Sequence, residues 1–517
     1  MGTLTLDNLN IGHLDGRDEF LREQNELNPF EYFLIPSNVS IQRLLDRRSY
    51  FVKGFRGTGK TTFLRWFAHE RRKEGDVTQF VLFKSDFTEP HRVELSKLSG
   101  FDIKEVNAAA FEFSQDFKDP WLWFIFHQIG KVIQSNDATT EPPDIIHQYL
   151  TLVGLKKPIF KSVLGYFPAL KGGKVTITGD LGVVKGALEQ SYEQRTNEVP
   201  LYNINLALLD LLKKIRFQKK CYFFFDELEV FFHHRDQYTR DLLMVRDMLL
   251  AIKRLNEFFQ QEQLQLYLLA GIRTEIIDAI GAQGQEIGRV VHDYGELIAW
   301  HQSNCSMDHP LIQMIIRKFQ VSEIRKMGAS SDDVFQQYFP SSVNGMQIEN
   351  YLLLNSFFKP RDLVWRLLLA QRASPDATIF TQKLLEDTFS DYSSKLWEEV
   401  TYELSATYSP DEIKVVETLL SGRSSHFYMS EFQERLDGTA AYSEAARKLK
   451  TKRSAEEIAT DLYRLGALGN EFRDPAHGRV THRWIFRGDN ALIPSRNIVL
   501  NRALWKHFST IGKRDRS

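Results

Sequence analysis

The sequence predicts an α/β fold, in which a parallel-sheet core with an inserted subdomain is followed by a helical lid and a C-terminal winged-helix-like domain. Three observations predict it. The apolar run Tyr50-Phe51-Val52 leads through Gly54-Phe55-Arg56-Gly57-Thr58-Gly59-Lys60-Thr61-Thr62 into a segment with Phe63, Leu64 and Phe67 on one helical face. A second apolar run, Cys221-Tyr222-Phe223-Phe224-Phe225, ends in Asp226-Glu227, the pattern of a central parallel strand that delivers carboxylates to a sheet edge. Finally, 517 residues are more than one core usually serves, so several structural units are expected.

The first run satisfies G-x-x-x-x-G-K-[ST] in a strand, loop, helix context. Glycines at 54, 57 and 59 let the backbone curl so that successive N–H groups point inward, and the helix that follows adds the positive end of its dipole. The concavity suits a polyphosphate. Lys60 is expected to reach the β- and γ-phosphates, the Thr61 hydroxyl to coordinate Mg2+, and Gly54, Gly57, Thr58, Gly59 and Thr62 to complete the cradle. Asp226 then serves the metal and Glu227 the attacking water.

Along the chain, residues 1–30 form an N-terminal segment, and Phe30, Tyr32, Phe33, Leu34 and Ile35 cluster before Pro36, to stack on a purine or to anchor the N-terminus. The core spans 31–305. Within it, Gln79 to Asp86 reads as a strand and Phe113 to Ile133, with Trp121-Leu122-Trp123, as a buried helix. The distance from Lys60 to Asp226 exceeds what compact crossovers need, which predicts an insertion over about 137–200. There Lys174 to Val184 alternates around Gly179-Asp180 like a hairpin, and nearby lysines either contact nucleic acid or solubilise the insertion. Leu297 to Trp300 reads as the last core strand, and His309-Pro310-Leu311 opens a helical lid over 306–405.

A new pattern begins near Ser409-Pro410. Over 406–517, Asp411–Leu420 is amphipathic, Ser430–Leu436 is a short helix, Ser454-Ala455-Glu456-Glu457 is a capping box opening a third helix, and Arg479 to Arg487 alternates like a wing strand. From Asp411 onward there is an excess of about five positive charges. The basic run Arg447, Lys448, Lys450, Lys452 and Arg453 suits phosphate contact, whereas Glu456, Glu457 and Asp461 oppose entry of that helix into a major groove. Contact with double-stranded DNA and contact with a protein partner both stay open.

Together, the glycine loop and the Asp226-Glu227 pair resemble the P-loop ATPases of the additional-strand, catalytic-glutamate group, with its AAA+, ORC-like and STAND branches. In that group a strand between the loop strand and the acidic strand ends in a polar sensor, and Leu264 to Glu275 looks like that strand, with Arg273 as sensor. An arginine there is more like the STAND pattern. Asn355 to Leu363 looks like the sensor-two region, implying that Arg361 reaches the γ-phosphate, though a helix start around Pro360 and Asp362 explains the same residues. Arg289 stands where relatives often place an arginine finger, or is simply solvated. The resemblance implies ATP and Mg2+ as ligands, hydrolysis coupled to conformational change or ATP-dependent homo-oligomer assembly, and membership of a nucleic-acid-associated or anti-phage defence complex. A slow nucleotide-gated scaffold for an effector protein and an ORC-like DNA loader are the alternatives.

Composition narrows this further. Net charge is −1, which excludes a globally basic coat protein, and no apolar run is long enough for a membrane span, so a cytoplasmic protein is expected. The two cysteines, Cys221 and Cys305, are too few for a zinc or disulfide framework, and H-E-x-x-H and G-x-S-x-G are absent.

Overall fold

A computed structural model describes residues 2–17, 29–98, 117–135, 139–156, 162–163, 167–168, 170–171, 174–176, 198–228, 235–282, 287–302, 305–473, 480–489 and 491–510. The chain divides into two compact units: Ser40–Gly54 with Phe63–Leu297, and Met1–Val39 with Phe55–Thr62 and Ile298–Ser517.

The first unit is α/β. Its main elements are β1 (Phe51–Gly54), α1 (Lys60–Lys73, entering from Phe63), β2 (Val77–Leu82), α2 (Lys118–Gln134), α3 (Pro143–Leu152), α4 (Leu201–Lys214), β3 (Cys221–Leu228), α5 (Arg235–Gln261), β4 (Leu266–Arg273) and β5 (Gly295–Leu297). The strands form one parallel sheet in the order β5-β1-β4-β3-β2. So β4 lies between the loop strand and the acidic strand, as expected. Every residue of β4 is buried, and in β3 only Glu227 is partly exposed, which is why both read as uninterrupted apolar runs. In α2, Pro120 through Gly130 are all buried, so a helix apolar on every side sits inside the core with Met244, Val245 and Met248 of α5. The side-chain amide of Asn256 on α5 donates to the Leu268 carbonyl at 2.8 Å and its oxygen accepts from the Leu268 N–H at 3.0 Å, pinning that helix to β4.

Several expectations shift. The strand predicted over Gln79–Asp86 is Val77–Leu82, after which Phe83–Asp86 is helical. Phe83 and Phe87, one turn apart, stack at 5.4 Å and Phe83 packs against Trp121, while the Asp86 carboxylate accepts from the Leu82 N–H at 2.9 Å. Core packing and a local cap stop the strand. The last core strand is Gly295–Leu297 rather than Leu297–Trp300, because β1 offers ladder partners only from Phe51 to Lys53. In the insertion, Lys174–Thr176 pairs antiparallel with Leu170–Lys171 and with Glu198–Pro200, and residues 177–184 of the predicted hairpin lie outside the described residues.

The second unit carries the N-terminal segment and continues through α6 (Pro310–Met327), α7 (Pro360–Ala373), α8 (Phe389–Leu404), α9 (Pro410–Leu420), β6 (His426–Phe427), α10 (Met429–Tyr442), α11 (Glu444–Lys452), α12 (Ala455–Arg464), β7 (Leu468–Arg473), β8 (Val480–Arg483) and β9 (Asn497–Leu500). Its C-terminal strands form an antiparallel sheet in the order β6-β9-β7-β8. Val416, Leu419, Phe432, Leu436, Ile458 and Leu462 build the core beneath. Both α9 and α12 open on complete capping boxes, Ser409 with Glu412 and Ser454 with Glu457. The helix expected over Ser430–Leu436 runs on to Tyr442. The basic run expected to precede the third helix largely forms α11, a helix of its own whose N-cap is Ser443. The strand expected over Arg479–Arg487 is Val480–Arg483, and Ile485–Arg487 is a turn of 3-10 helix where Phe486 stacks on Trp484 at 5.6 Å.

Candidate functional site

In the α/β unit, the carboxyl ends of adjacent parallel strands carry the predicted residues. Gly54, the last residue of β1, pairs with Arg273, the last of β4, and Asp226 of β3 pairs with Leu82 of β2. This is the edge at which open α/β sheets bind ligands. Arg273 is buried, 8% exposed, at the strand end directly before the helix Thr274–Ala282.

Asp226 is 2% exposed. Its carboxylate lies over the backbone of the neighbouring strand at Gly271, where an added Cβ would meet Asp226 Oδ1 at 2.8 Å and Leu64 Cδ1 at 3.0 Å. Only glycine leaves room for that approach. Gly271 escaped the sequence reading, although a glycine inside an otherwise apolar strand is itself a signal of close approach. Between Phe225 and Leu228 the ladder with β4 slips, and Glu227 takes φ of +58°. Holding a non-glycine residue in this left-handed region costs about 1–3 kcal/mol, and such residues cluster at functional sites. The bulge turns Glu227 away from the buried line of the strand, and its Oε2 accepts a hydrogen bond from Ser85 Oγ at 3.3 Å. Ser85 was not singled out from sequence, because its segment read as strand.

The loop after β1 belongs to the other unit, and there it is shaped by its own contacts. Gly57 and Gly59 have φ of +82° and +90°. Thr58 donates through both its backbone N–H, at 3.3 Å, and its hydroxyl, at 2.8 Å, to the Phe55 carbonyl, which also accepts from Lys60 Nζ at 2.8 Å. The Lys60 ammonium is therefore turned into the loop and not out to solvent. Trp300 Nε1 donates to the Thr58 carbonyl at 2.8 Å. Near Thr61 and Thr62 the chain at Gly16 passes so closely that a Cβ there would meet the Thr62 hydroxyl at 2.6 Å.

Arg361, at the start of α7, reaches the same loop. Its N–H donates to the Gly57 carbonyl at 3.4 Å, its Nε to the Leu14 carbonyl at 3.0 Å, and its Nη1 to Glu399 Oε1 at 3.2 Å. One turn further along α8, Glu403 lies 3.6 Å from Arg56, whose guanidinium covers the Tyr402 ring at 4.7 Å. Thus α8 presents two carboxylates to two arginines, one in the loop and one beside it, a feature that sequence spacing alone did not reveal.

Other candidates fall elsewhere. Arg289 is 91% exposed and 3.6 Å from Asp293 one turn on. Of the N-terminal aromatics, Tyr32 is buried under the Lys318 ammonium, 4.1 Å from the ring centre, which is an anchoring role. No described helix is long and apolar enough to cross a membrane. Comparison with known protein families and with curated proteins finds no match for this chain.

Proposed function

We propose that this chain is a Mg2+-dependent ATPase of the P-loop, additional-strand, catalytic-glutamate kind, which couples nucleotide state to conformational change or assembly. The observation that carries the reading is the carboxylate pair at the end of β3. Asp226 is buried over a glycine that alone leaves it room, and Glu227 is held at positive φ beside it at the carboxyl edge of a parallel sheet. A structural strand end has no need of either arrangement. The positive-φ glycines and the inward ammonium of Lys60 support the same reading, because they suit an anionic ligand at the loop.

In this mechanism the loop N–H groups and Lys60 bind the β- and γ-phosphates of ATP. Thr61 and Asp226 are the residues that would hold Mg2+, whose contribution is to neutralise charge on the phosphate oxygens. Glu227 accepts the proton of the water that attacks the γ-phosphorus, giving ADP and phosphate. Arg273 adds positive charge at the sheet edge. Arg361 exchanges Glu399 for the γ-phosphate, so nucleotide state is felt by α7 and α8. Lys60→Ala is expected to weaken binding of a fluorescent ATP analogue by about 100-fold, the loss of a charge-assisted contact worth up to about 3 kcal/mol; unchanged binding contradicts the reading.

For the C-terminal domain, which we read as a winged helix, a protein partner is favoured over duplex DNA. Most of the basic run is already neutralised within the domain: Lys448 by Glu444, Lys450 by Asp437, Lys452 by Glu412 and Arg453 by Asp461, at 2.6–3.0 Å. Tyr428 and Tyr442, at the two ends of α10, are 58% and 76% exposed, as aromatic contact residues are. This supports an ATP-gated interaction with an effector protein.

A further inference from the structure

We propose that the C-terminal sheet carries a second metal site, separate from the nucleotide chemistry, formed by His426, Glu471 and His482 and suited to Zn2+. The strand register brings the three side chains together. His426 pairs with Val499, Glu471 pairs with Asn497 two residues away on the same strand, and Glu471 pairs directly with His482. Cross-strand partners and residues two apart share a face, so β6, β7 and β8 each send one metal-ligating group to the same side of the sheet.

The distances suit a first-row ion. His426 Nε2 lies 3.1 Å and His482 Nε2 3.6 Å from Glu471 Oε2, and one ligand atom from each of the three residues falls within 4.8 Å of the others. A tetrahedral ion with bonds of about 2.0–2.2 Å holds its ligand atoms about 3.3 Å apart, midway between the observed separations. Two imidazoles and a carboxylate are a donor set that prefers Zn2+ over Mg2+ or Ca2+.

Groups behind the ligands are also in place. Asn497 Nδ2 donates to Glu471 Oε1 at 3.2 Å, leaving Oε2 as the inward atom, and Ser425 Oγ is 2.9 Å from His426 Nδ1, so Nε2 faces the centre. The side chains of His426 and Glu471 are 15% and 13% exposed and that of His482 is 36% exposed, so the site opens to solvent on the β8 side. A water or a partner's side chain completes the coordination there. A bound ion ties both edge strands, β6 and β8, to β7.

The test uses the full chain, stripped with a chelator and without nucleotide, titrated with Zn2+ against a chromophoric competitor and separately with Co2+. The expected result is one strong Zn2+ equivalent, intense visible bands of tetrahedral Co2+, and affinity lower by about 100-fold in Glu471→Gln and in His482→Ala and about 10-fold in Asn497→Ala. His507→Ala is the control, because His507 is not one of the three ligands and is held by Glu417 at 3.0 Å and Ser394 at 3.1 Å; it should leave affinity unchanged. The proposal is overturned if wild type binds no strong equivalent, if the ligand variants bind as wild type does, or if Co2+ shows only its aqua spectrum. The Co2+ spectrum of wild type decides the matter should a ligand variant fail to fold.

Discussion

A methyl group on Gly271 would stand 2.8 Å from the Asp226 carboxylate and 3.0 Å from Leu64, between two buried groups with nowhere to retreat. Gly271→Ala is therefore expected to cost about 1–3 kcal/mol and to displace the carboxylate, lowering turnover as well. Urea melts and turnover on the same preparation check this, and a variant with wild-type stability and turnover contradicts it. Asp362 is a second residue with a clear consequence. Its Oδ2 accepts from the Phe357 N–H at 2.7 Å, and burial raises its pKa from 3.8 to about 6. The folded state thus holds a proton that the unfolded chain releases, so this residue favours folding below pH ~4 and loses that contribution as pH rises to about 6. Asp362→Asn keeps the acceptor and never ionises. Its stability relative to wild type should rise between pH ~4 and ~7 by an amount on the order of 3 kcal/mol at most; a difference independent of pH contradicts the assignment. From sequence, Gly54 to Thr62, Asp226 and Glu227 could be singled out because the chemistry proposed for them requires fixed residue types at fixed spacing. The left-handed backbone of Glu227 and the pairing of Arg361 with Glu399 could not, since both depend on contacts far apart in the chain.

At the level of elements, the helix Glu89–Leu98 is joined to α5 by a charge network. Asp241, fully buried, accepts from Arg92 at 2.5 Å and from Arg240 at 2.7 and 2.9 Å, while Arg240 makes a bidentate pair with Glu89 at 2.8 and 2.9 Å. Such a network costs desolvation to build, but removing one member leaves charge stranded. Asp241→Ala should destabilise the protein by about 3–5 kcal/mol, read from its denaturation midpoint; a loss below about 1 kcal/mol would show that water reaches the guanidinium groups. Elements with strong local signals were legible in the sequence. The capping box at Ser454 announced α12, the amphipathic run from Asp411 announced α9, and uninterrupted apolar runs announced β3 and β4. Boundaries set by packing were not. Phe83 looks like a strand residue until Trp121, distant in sequence, packs against it at 5.8 Å, and the basic run from Arg447 shows no helix until Ala446 and Leu449 are seen to be buried.

For the molecule as a whole, Phe55–Thr62 groups with the helical unit although β1 before it and most of α1 after it belong to the sheet. This loop is thus joined through the chain at both ends to the α/β unit, a connection that the proposed nucleotide switch would use. Glu399 and Glu403 contact the arginines of the loop region within the helical unit, and under the proposed function these carboxylates are what the γ-phosphate would displace. The positions of the motifs predicted an order of core, lid and C-terminal domain, and the chain divides into one unit with the parallel sheet and one with the N-terminal segment and the C-terminal sheet. A partner could not be read in the same way, because a docking surface leaves no fixed spacing in a sequence. The central claim is hydrolysis at Glu227, and steady-state ATP turnover of wild type and Glu227→Gln, with Mg2+ and with or without double-stranded DNA, tests it most directly. The account predicts measurable wild-type turnover and a loss of about 100-fold or more in Glu227→Gln with ATP binding retained. Equal turnover in the two proteins, or none in wild type under every condition, contradicts it.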